Sequence, residues 1–430
     1  MSVKLQVALD LMNLKRAIKI AKEAVEGGGD IIEAGTPLIK SEGMEAVRKL
    51  KAEFPNNEIV ADMKTMDVGG LEVKIAAKAG ADIVVVLAAS DDETLKEAVR
   101  AARNYDTKIT ADMLGVSNPA ERTKEVCKLG VDYVGVHVGI DSQMKGENPL
   151  RVLSKIIENS SVPVAVAGGI NSENAASIVK KGVEIIIVGG SIIKAKNVRK
   201  SAENIKRAID QGISMDSEVS KKFGPHEIRK CLTKVSTPNV SDAMHRCPCM
   251  KGIHQLTAHG EKIIGKAFTV KTVDGDWAKP VEAIERADEG DIIVVDSNGG
   301  ETAVWGELAS LSAKIRDISG IVIDGAVRDI DDIEKIDFPV FARHIASNAG
   351  EPKGYGGVKV DIVCGGVRIR QGDWIIGDAS GVMVIPKEEA LMIANRSLDV
   401  MEKENRIREE IKEGKTLSVV MELQKWEKVQ

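Results

Sequence analysis

The first half of the chain alternates between two hydrophobic periods. Short runs of apolar, mostly β-branched residues are separated by amphipathic stretches such as LKRAIKIAKEAVEGG, in which apolar residues recur at helical spacing before glycine. Residues 1–212 contain eight such units, with apolar runs at 3–9, 31–34, 58–61, 83–87, 108–111, 133–138, 163–167 and 184–188. Continuous apolar runs predict strands that are covered on both faces and therefore parallel, and eight strand–helix units predict a closed (β/α)8 barrel. The alternative, an open doubly wound sheet, lacks the GxGxxG sequence that would follow its first strand.

The pattern changes after residue 212. Residues 213–224, ISMDSEVSKKFG, mix serine, charge and glycine without apolar periodicity, which predicts a linker between two domains. Residues 225–390 then predict a C-terminal α/β domain, with strands at 263–273, 291–295, 321–324 and 340–341 and helices at 222–237 and 307–317. From about residue 388 the chain is highly charged, and residues 391–430 predict a C-terminal helical extension that faces solvent or a partner.

Composition agrees with an enzyme built of two domains. A chain of 430 residues is longer than one core usually supports, and a net charge of -5 lacks the basic excess that non-specific nucleic-acid binding needs. The five cysteines are odd in number and irregularly spaced, which argues against a disulfide framework and for a reducing compartment. The sequence shows no leader-like segment and no apolar run of membrane length. We therefore expect a cytoplasmic location, a small-molecule substrate, and neither nucleic-acid nor membrane partners.

Polar and small residues stand where the barrel strands end, at the mouth where such barrels carry their chemistry. These positions are Asp10, Glu33, Asp62, Lys64, Asp112, His137, Gly168, Gly169, Gly189 and Gly190. Because side chains alternate along a strand, Asp62 and Lys64 should point to the same side. A lysine among carboxylates stays charged and can stabilise a developing oxyanion. A structural ion-pair network that closes the top of the barrel is the alternative interpretation.

The paired glycines at the ends of the seventh and eighth strands predict a phosphate site, each pair opening a helix. Without a Cβ, their backbone N–H groups can approach a phosphate, and barrels commonly bind one at these two strands. The substrate should then be a small phosphate ester. Glu33 and Asp62 offer the hard oxygen ligands that Mg2+ or Mn2+ prefers, and such a metal would also bind an enediolate at the reacting end.

The spacing D-x-K-x-x-D at Asp62, Lys64 and Asp67 carries a family resemblance. With IEAGTPLIKSEG before it and VHVGID after it, it resembles the orotidine monophosphate decarboxylase suprafamily, and within it the 3-hexulose-6-phosphate synthase family. The resemblance covers residues 1–212. It implies reversible aldol cleavage of D-arabino-3-hexulose 6-phosphate to D-ribulose 5-phosphate and formaldehyde through an enediolate stabilised by Mg2+.

The resemblance also implies a role for each matching residue. Glu33 and Asp62 would hold the metal, Lys64 would support the enediolate, and His137 would move protons. Asp10, at the end of the first strand, joins this catalytic group.

Two further positions bear on assembly and on the alternative reaction. In the resembling dimers, the aspartate that matches Asp67 reaches the active site of the neighbouring subunit, which implies a homodimer. A related enzyme, 3-keto-L-gulonate-6-phosphate decarboxylase, places an arginine three residues after the histidine, where this chain has Ile140. A decarboxylase therefore remains the alternative for the barrel, without that proton-delivering residue.

A second candidate site lies in GGETAVWGELASLSAKIRDISGIVIDGAVRDIDDI. A helix opens at Gly306, where backbone N–H groups favour an anion; Arg328 can clamp a carboxylate, and Asp329 could hold a divalent ion. The spacing Glu307-x20-Arg328-Asp329, with STPNVSDAMHR before and GDWIIGDASGVMVIP after, is similar to the RraA-like family, which includes 4-hydroxy-4-methyl-2-oxoglutarate aldolases. The aldolase pattern prefers aspartate at the first position, so Glu307 would act through water.

That resemblance leaves three functions open for the second domain. It could be a metal-dependent lyase acting on pyruvoyl compounds, a binding module of the ribonuclease-regulator type, or a scaffold that builds a higher homo-oligomer. We favour the lyase because Glu307, Arg328 and Asp329 are all present.

The loop HRCPCMKGIHQLTAHG raises the question of a zinc site. Its candidate ligands are His245, Cys247, Cys249, His254 and His259. The two cysteines lack the paired spacing of structural zinc sites, so we interpret the segment as a polar loop.

Overall fold

The computed structural model describes residues 2–137, 139, 144, 150–217, 222–258, 260–421 and 423. The chain forms two compact units. The first comprises Met1–Gln143, Glu147–Lys222 and Glu402–Gln430, and the second comprises Met144–Gly146 and Phe223–Met401. In the described part of the chain, no helix combines the length and apolar character needed to cross a bilayer.

The first unit contains a closed barrel of eight parallel strands in sequential order, which confirms the predicted (β/α)8 architecture. The strands are β1 (Lys4–Leu9), β2 (Ile31–Ala34), β3 (Glu58–Thr65), β4 (Ile83–Leu87), β5 (Lys108–Asp112), β6 (Tyr133–His137), β7 (Val164–Ala167) and β8 (Ile185–Val188). β8 pairs with β1 and closes the ring. The strands are almost entirely buried, as the continuous apolar runs predict, because side chains fill the barrel on one face and meet helices on the other.

Amphipathic helices surround the barrel. Those described are α1 (Leu14–Glu26), α2 (Thr36–Glu42), α3 (Glu45–Glu53), α4 (Gly69–Lys78), α5 (Asp92–Asn104), α6 (Pro119–Lys128), α7 (Leu150–Asn159), α8 (Ala175–Val179), α9 (Gly190–Ile193) and α10 (Val198–Gln211). In α1 the buried residues Ala17, Ile20, Ala21 and Ala24 recur at helical spacing, and the side chain of Asn13 caps the first turn. The same periodicity that predicts each helix therefore supplies the face that packs on the strands.

The second unit is built on a mixed sheet. Its strands are β9 (His254–Gln255), β10 (Ile263–Lys271), β11 (Ile292–Asp296), β12 (Gly320–Val327), β13 (Val340–Ile345), β14 (Gly357–Val358), β15 (Ile362–Cys364), β16 (Val367–Ile369), β17 (Trp374–Asp378) and β18 (Gly381–Ile385). The order is β18-β17-β10-β11-β12-β13-β9, with β14 beside β10, and β15 and β16 form a separate hairpin. β10 to β13 run parallel, so their carboxyl ends lie at one edge.

The helices of this unit and of the C-terminal segment complete the fold. They are α11 (Ile228–Leu232), α12 (Thr237–Ala243), α13 (Ala278–Arg286), α14 (Glu307–Ile315), α15 (Ile330–Lys335), α16 (Ala390–Lys412) and α17 (Leu417–Met421). Alternate residues of the parallel strands point to opposite faces of the sheet and contribute to two separate hydrophobic cores. One core includes Val295 and Ile323 and packs against α13 and α14, whereas the other includes Val294 and Val322 and packs against the β15–β16 hairpin.

One helix prediction in this half is wrong, and the C-terminal helix, which is present as predicted, is less exposed than expected. Instead of one helix over residues 222–237, the chain forms a 3-10 turn, then α11, and then α12. Ser236 accepts a hydrogen bond from the Asn239 N–H, and a proline lies in the first turn, so the sequence Ser-Thr-Pro starts a new helix there. The charged helix α16 is also not solvated along its length, because Asn395, Arg406 and Glu410 are buried.

Part of the predicted linker is ordered on the barrel. The Met215 N–H donates to the Ser172 carbonyl at 3.0 Å, and the Ser172 hydroxyl donates to the Asp216 carbonyl at 2.9 Å. The Ser214 hydroxyl donates to the Glu173 carbonyl at 2.9 Å. Residues 214–216 therefore lie against the loop that follows β7, in the first unit.

Candidate active site

The end of β3 carries an irregularity that positions Lys64. β3 pairs regularly with β4 as far as Ala61, and the register then shifts before Thr65. Within this bulge Lys64 has a left-handed backbone, with φ of 47°. Its ammonium lies 2.9 Å from both carboxylate oxygens of Asp62 and 3.3 Å from Oδ2 of Asp112. The expected meeting of Asp62 and Lys64 is present, but a bulge produces it rather than regular strand alternation alone.

The two carboxylates keep Lys64 charged. Burial disfavours the ammonium, but the negative charges of Asp62 and Asp112 outweigh burial and raise the pKa of Lys64 well above its ordinary value. The side chain is therefore a permanent cation at the barrel mouth. Such a group stabilises negative charge on a reacting oxygen without taking part in proton exchange.

Asp112 joins the lysine to the histidine. Nδ1 of His137 lies 3.2 Å from Oδ2 of Asp112, and the Leu114 N–H donates to Oδ1 at 2.9 Å. Burial would raise the pKa of Asp112, but hydrogen bonding to His137 and the charges of His137 and Lys64 outweigh it and lower the pKa. Since an ionised carboxylate only accepts, Nδ1 carries the proton toward Asp112, and Nε2 is the ring nitrogen left to exchange a proton with a substrate.

Three carboxylates converge beside this lysine. Burial, with the charges of Asp62 and Asp10, raises the pKa of Glu33 well above its ordinary value. Burial and Asp62 also raise the pKa of Asp10. Gln6 donates to Glu33 at 2.5 Å, and the Thr36 hydroxyl donates to Asp62 at 2.7 Å. The pKa values of Glu33 and Asp10 stay raised although Lys64 acts on both carboxylates, so this donor set fits a divalent cation.

The site fits a metal ion that keeps several water or substrate ligands and takes few from the protein. Among the described residues, no three Asp, Glu, His or Cys side chains form a ready ligand set. Mg2+ is commonly held by one or two carboxylates, with water or substrate oxygens at its other positions. Glu33 and Asp62 can supply two such carboxylates.

The glycines at the mouth leave room for the Asp10 carboxylate. A Cβ at Gly35 would overlap Oδ1 of Asp10, and a Cβ at Gly189 would lie 3.2 Å from Oδ2. Gly168 and Gly169 have φ of 111° and 66°, which side chains rarely adopt. α9 begins at Gly190, as expected of a helix opening there, whereas the expected helix start after Gly169 is wrong, because α8 begins only at Ala175.

Sequence reasoning missed three polar residues of this site. Lys194 closes α9, and its ammonium lies 3.3 Å from where a Cβ of Gly190 would stand. Its only sequence signal is a basic residue one helical turn after the paired glycines. Gln6 was detectable as the one uncharged polar residue within the strand KLQVAL, whereas nothing in the sequence marks Thr36 as a partner of Asp62.

Asp67 lies past the end of β3 with an exposed side chain. Its Oδ1 accepts a hydrogen bond from the Val68 N–H at 2.7 Å. Val68 itself has a left-handed backbone, with φ of 48°, and precedes α4. The structure thus brings together the predicted residues at the barrel mouth, namely Asp10, Glu33, Asp62, Lys64, Asp112 and His137. Asp67, in contrast, lies on the surface. Ile140 lies outside the described residues.

The four candidate residues of the second unit are also adjacent. Nε of Arg328 lies 3.3 Å from Oδ2 of Asp329, and the same oxygen accepts the Glu307 N–H at 3.3 Å. A Cβ at Gly306 would collide with Oδ2 of Asp329, so glycine permits the approach. The side chains of Arg328 and Asp329 are 44% and 39% exposed, which leaves both open to a ligand.

The Cys/His loop packs on the second unit. Cys247 and Cys249 are free thiols, half-buried against the hydrophobic cluster that includes Leu398. His245 has a left-handed backbone, with φ of 57°, and His259 lies outside the described residues. The interpretation as a polar loop stays a prediction.

Comparison with known proteins agrees with this geometry. Residues 3–205 match the model of the orotidine 5′-phosphate decarboxylase / HUMPS family, and residues 237–384 match the RraA-like model, Aldolase/RraA. Over 211 residues the chain is 41% identical to the 3-hexulose-6-phosphate synthase of Bacillus subtilis (strain 168), covering 49% of this chain and 100% of that protein. It is 40% identical over 207 residues to the 3-hexulose-6-phosphate synthase of Mycobacterium gastri, covering 48% of this chain and 100% of that protein.

The chain is also similar to a solved structure. A crystal structure of a 3-hexulose-6-phosphate synthase is 40% identical, and it covers 48% of this chain and 100% of its own, with a TM-score of 0.47. The two 3-hexulose-6-phosphate synthases match about half of this chain, and the RraA-like model matches residues 237–384 of the other half. The chain therefore belongs to the orotidine 5′-phosphate decarboxylase / HUMPS family, as a lyase of the 3-hexulose-6-phosphate synthase group that also carries an RraA-like region.

Proposed function

We propose that the barrel interconverts D-arabino-3-hexulose 6-phosphate with D-ribulose 5-phosphate and formaldehyde. The observation that carries the proposal is the position of Lys64, 2.9 Å from Asp62 and 3.3 Å from Asp112, at the mouth of the barrel. An aldol reaction of this kind passes through an enediolate, whose negative oxygen needs a fixed positive charge. Lys64, whose side chain is 21% exposed, provides that charge.

In the condensing direction, a proton leaves C1 of D-ribulose 5-phosphate and that carbon forms a bond to the carbon of formaldehyde. The formaldehyde oxygen then takes up a proton, which gives the six-carbon sugar phosphate. We assign these proton transfers to Nε2 of His137, because Nδ1 is held by Asp112. Lys64 stabilises the enediolate between the two steps.

We infer that the reaction uses Mg2+, held by Glu33 and Asp62. The support is the raised pKa of Glu33, which arises from burial and from the charges of Asp62 and Asp10. When bound, Mg2+ would neutralise negative charge on the substrate oxygens and on these carboxylates. Gln6 and Thr36 orient Glu33 and Asp62 by hydrogen bonds to one oxygen of each.

The phosphate of the substrate is assigned to the glycine turns after β7 and β8. Gly169 has a left-handed backbone, with φ of 66°, and Lys194 places its ammonium 3.3 Å from where a Cβ of Gly190 would stand. This cation would pair with the phosphate. Lys194 also acts on Asp10. Burial and the charge of Asp62 raise the pKa of Asp10, and the charge of Lys194 lowers it by a smaller amount.

We infer that the barrel works as a homodimer in which Asp67 serves the partner's site. The large apolar side chains of Met66 and Val68 flank Asp67 and are exposed. Leu71 and Ile75, also exposed, lie one turn apart on α4. Exposed apolar residues grouped in this way mark protein interfaces.

For the second unit we propose a metal-dependent lyase acting on pyruvoyl compounds. Arg328 would bind the substrate carboxylate, Asp329 would hold the metal, and Glu307 would act through water. Beside them, α14 exposes Leu308, 77% accessible, and Ile315, 73% accessible, two turns apart on the same face. These residues support a homo-oligomer through this unit.

The barrel proposal is tested by incubating the full chain with ribulose 5-phosphate, formaldehyde and Mg2+ and following formaldehyde consumption. We expect rapid formaldehyde consumption by the unaltered protein and little by Asp62→Ala. Lys128→Ala, which changes an exposed lysine on α6, should consume formaldehyde as fast as the unaltered protein. Equal rates for Asp62→Ala and the unaltered protein would contradict the assignment. Carbon dioxide release from 3-keto-L-gulonate 6-phosphate, with no formaldehyde consumption, would favour the decarboxylase instead.

The shared site is tested by mixing inactive chains. Asp62→Ala and Asp67→Ala subunits, unfolded and refolded together, should recover up to about a quarter of the active sites, because half of the dimers are mixed and one site in each is intact. Each variant alone should stay inactive. A mixture no more active than its parts would remove Asp67 from the neighbouring site.

The lyase proposal for the second unit is tested by pyruvate release from oxaloacetate with Mg2+. Arg328→Ala should lose this activity, and Arg316→Ala, on the loop after α14, should retain it. Absence of activity in both the unaltered protein and Arg328→Ala would leave binding or assembly as the function of this unit.

A further inference from the structure

A cleft of about 660 Å³ opens at the carboxyl ends of the parallel strands of the second unit. Four neighbouring strands each contribute one charged side chain to it, namely Lys271 from β10, Asp296 from β11, Asp324 from β12 and Arg343 from β13. The strand register places Lys271 beside Asp296, and Asp296 beside Asp324. Open α/β sheets bind their ligands at this edge.

The charged row continues a buried face of the sheet. Asp296 lies two residues after Val294, and Asp324 two residues after Val322, so each points to the side occupied by the core against the β15–β16 hairpin. Sheet packing alone favours apolar residues at such positions, because buried charges cost free energy unless they are paired. The change from apolar to ionic side chains therefore makes this cleft suited to a polar ligand.

Two of the carboxylates already have cations. Arg343 lies 2.5 Å from Oδ1 of Asp324, whose other oxygen accepts the Gly365 N–H at 2.7 Å. At the rim, Arg368 lies 2.7 Å from Asp361. These groups are internally neutralised, and they leave Lys271 and Asp296 to a ligand.

Asp296 is the group that defines what the ligand must carry. It is only 7% exposed, and its oxygens accept backbone N–H groups from Asn298 at 2.9 Å and Val363 at 3.4 Å. Within the described part of the chain, neither Asp296 nor Lys271 has an ion-pair partner. A buried carboxylate in this state is stabilised by a further donor, and the ammonium of Lys271 by an anion.

We propose that this cleft binds a small carboxylic acid with a hydrogen-bond donor on the carbon next to the carboxyl group. The ligand carboxylate pairs with Lys271, and its 2-hydroxyl or 2-ammonium group donates to Asp296 on the neighbouring strand. A 2-oxo acid has an acceptor at that carbon, which Asp296 repels. The cleft is separate from the site assigned to pyruvoyl compounds, because it is not lined by the residues of that site, Gly306, Glu307, Arg328 and Asp329.

Isothermal titration of the full chain tests the proposal with D-glycerate and L-serine as probes. We expect at least one of them to bind, and Asp296→Asn and Lys271→Met each to weaken binding by about tenfold or more. Arg328→Ala should leave the affinity within about twofold, and pyruvate should not displace the bound probe. Binding of D-glycerate alone assigns the donor to a hydroxyl, and binding of L-serine alone assigns it to an ammonium group.

The design separates loss of the ligand site from loss of the fold. Asparagine keeps the shape of Asp296 and an acceptor for the Asn298 N–H, and Lys271 is exposed, so the methionine variant tests the cleft even where Asp296→Asn is unstable. The proposal is overturned if neither probe binds at concentrations on the order of tens of millimolar. It is equally overturned if both variants bind as tightly as the unaltered protein, or if pyruvate competes. The oxaloacetate result for Arg328→Ala does not affect these outcomes.

Discussion

The ammonium of Lys64 lies 2.9 Å from each carboxylate oxygen of Asp62, although a single residue separates the two in the chain. Along a regular strand, side chains two residues apart stand about 6–7 Å from each other at their bases. The bulge before Thr65 and the left-handed backbone of Lys64 bring the two groups together. Since such a backbone costs a non-glycine residue about 1–3 kcal/mol, the barrel maintains this geometry against a local preference for a straight strand.

Replacing Lys64 should remove the fixed charge at the centre of the site. We expect Lys64→Met to lower the rate of formaldehyde consumption by about 10²–10³-fold, a magnitude typical of losing one oxyanion-stabilising group. The thermal midpoint should fall as well, because Asp62 and Asp112 lose their cation while buried. Lys128→Met, on the exposed face of α6, is the matched control and should change neither quantity. Full activity in Lys64→Met would show that the lysine serves only to close the barrel.

Glu33 should couple metal binding to stability. Burial, followed by the charges of Asp62 and Asp10, raises its pKa, so its ionised form is held at a cost in the absence of metal. We expect Glu33→Gln to raise the thermal midpoint of metal-free protein by about 2–4 °C, since roughly 1 kcal/mol of repulsion is removed. Calorimetry with and without Mg2+ measures this difference.

The control for this prediction uses the metal response. Mg2+ should raise the midpoint of the unaltered protein and of Glu45→Gln, an exposed change on α3, but not that of Glu33→Gln. An equal response of all three proteins would place the metal elsewhere.

Asp112 should contribute stability that depends on pH. Its pKa is lowered in the folded protein because hydrogen bonding to His137 and the charges of His137 and Lys64 outweigh burial. A lowered carboxyl pKa stabilises the fold above the unfolded value, about 3.9, and this stabilisation is lost as pH falls through the folded value. The difference in thermal midpoint between the unaltered protein and Asp112→Asn should therefore be largest near pH 7 and shrink below about pH 4. A difference that stays constant across this range would remove the charge of Asp112 as its cause.

The barrel was predictable because each strand carries its own signal. An apolar run ended by a polar or glycine residue identifies a strand and its mouth end at once, so Asp62, Asp112 and His137 could be grouped before any contact was known. The bulge at Lys64 could not be predicted, since it depends on the register with β4. The role of Thr36 could not be predicted either, because Thr36 begins α2 and its partner Asp62 lies on β3, 26 residues further along the chain.

Charge in the sequence was a poor guide to burial at the C-terminus. The run of Glu, Lys and Arg in α16 suggested solvent exposure, but Arg406 and Glu410 are buried. Their partners, such as Arg16 and the carbonyl of Lys196, lie about two hundred residues or more away in the chain. No local pattern contains that information.

Arg406 should therefore be essential to the stability of the first unit. Its guanidinium donates to the Lys196 carbonyl at 2.8 Å and lies 3.3 Å from Glu410, which in turn lies 2.9 Å from Arg16. We expect Arg406→Ala to lower the free energy of unfolding by about 3–5 kcal/mol. The truncation leaves the Glu410 carboxylate buried with one of its cationic partners removed. Thermal and urea unfolding of the full chain measure the loss.

Arg408 provides the control two residues further along the same helix. It lies 2.8 Å from Glu404, an i,i+4 pair like that of Arg406 and Glu410, but its side chain is exposed. Exposed pairs of this kind contribute about 0.3–0.5 kcal/mol, so Arg408→Ala should change the free energy of unfolding very little. Similar losses in the two variants would mean that helix propensity or net charge, rather than the buried network, accounts for the effect. A large loss confined to Arg406→Ala would show that the charged C-terminal helix stabilises the barrel through its buried side.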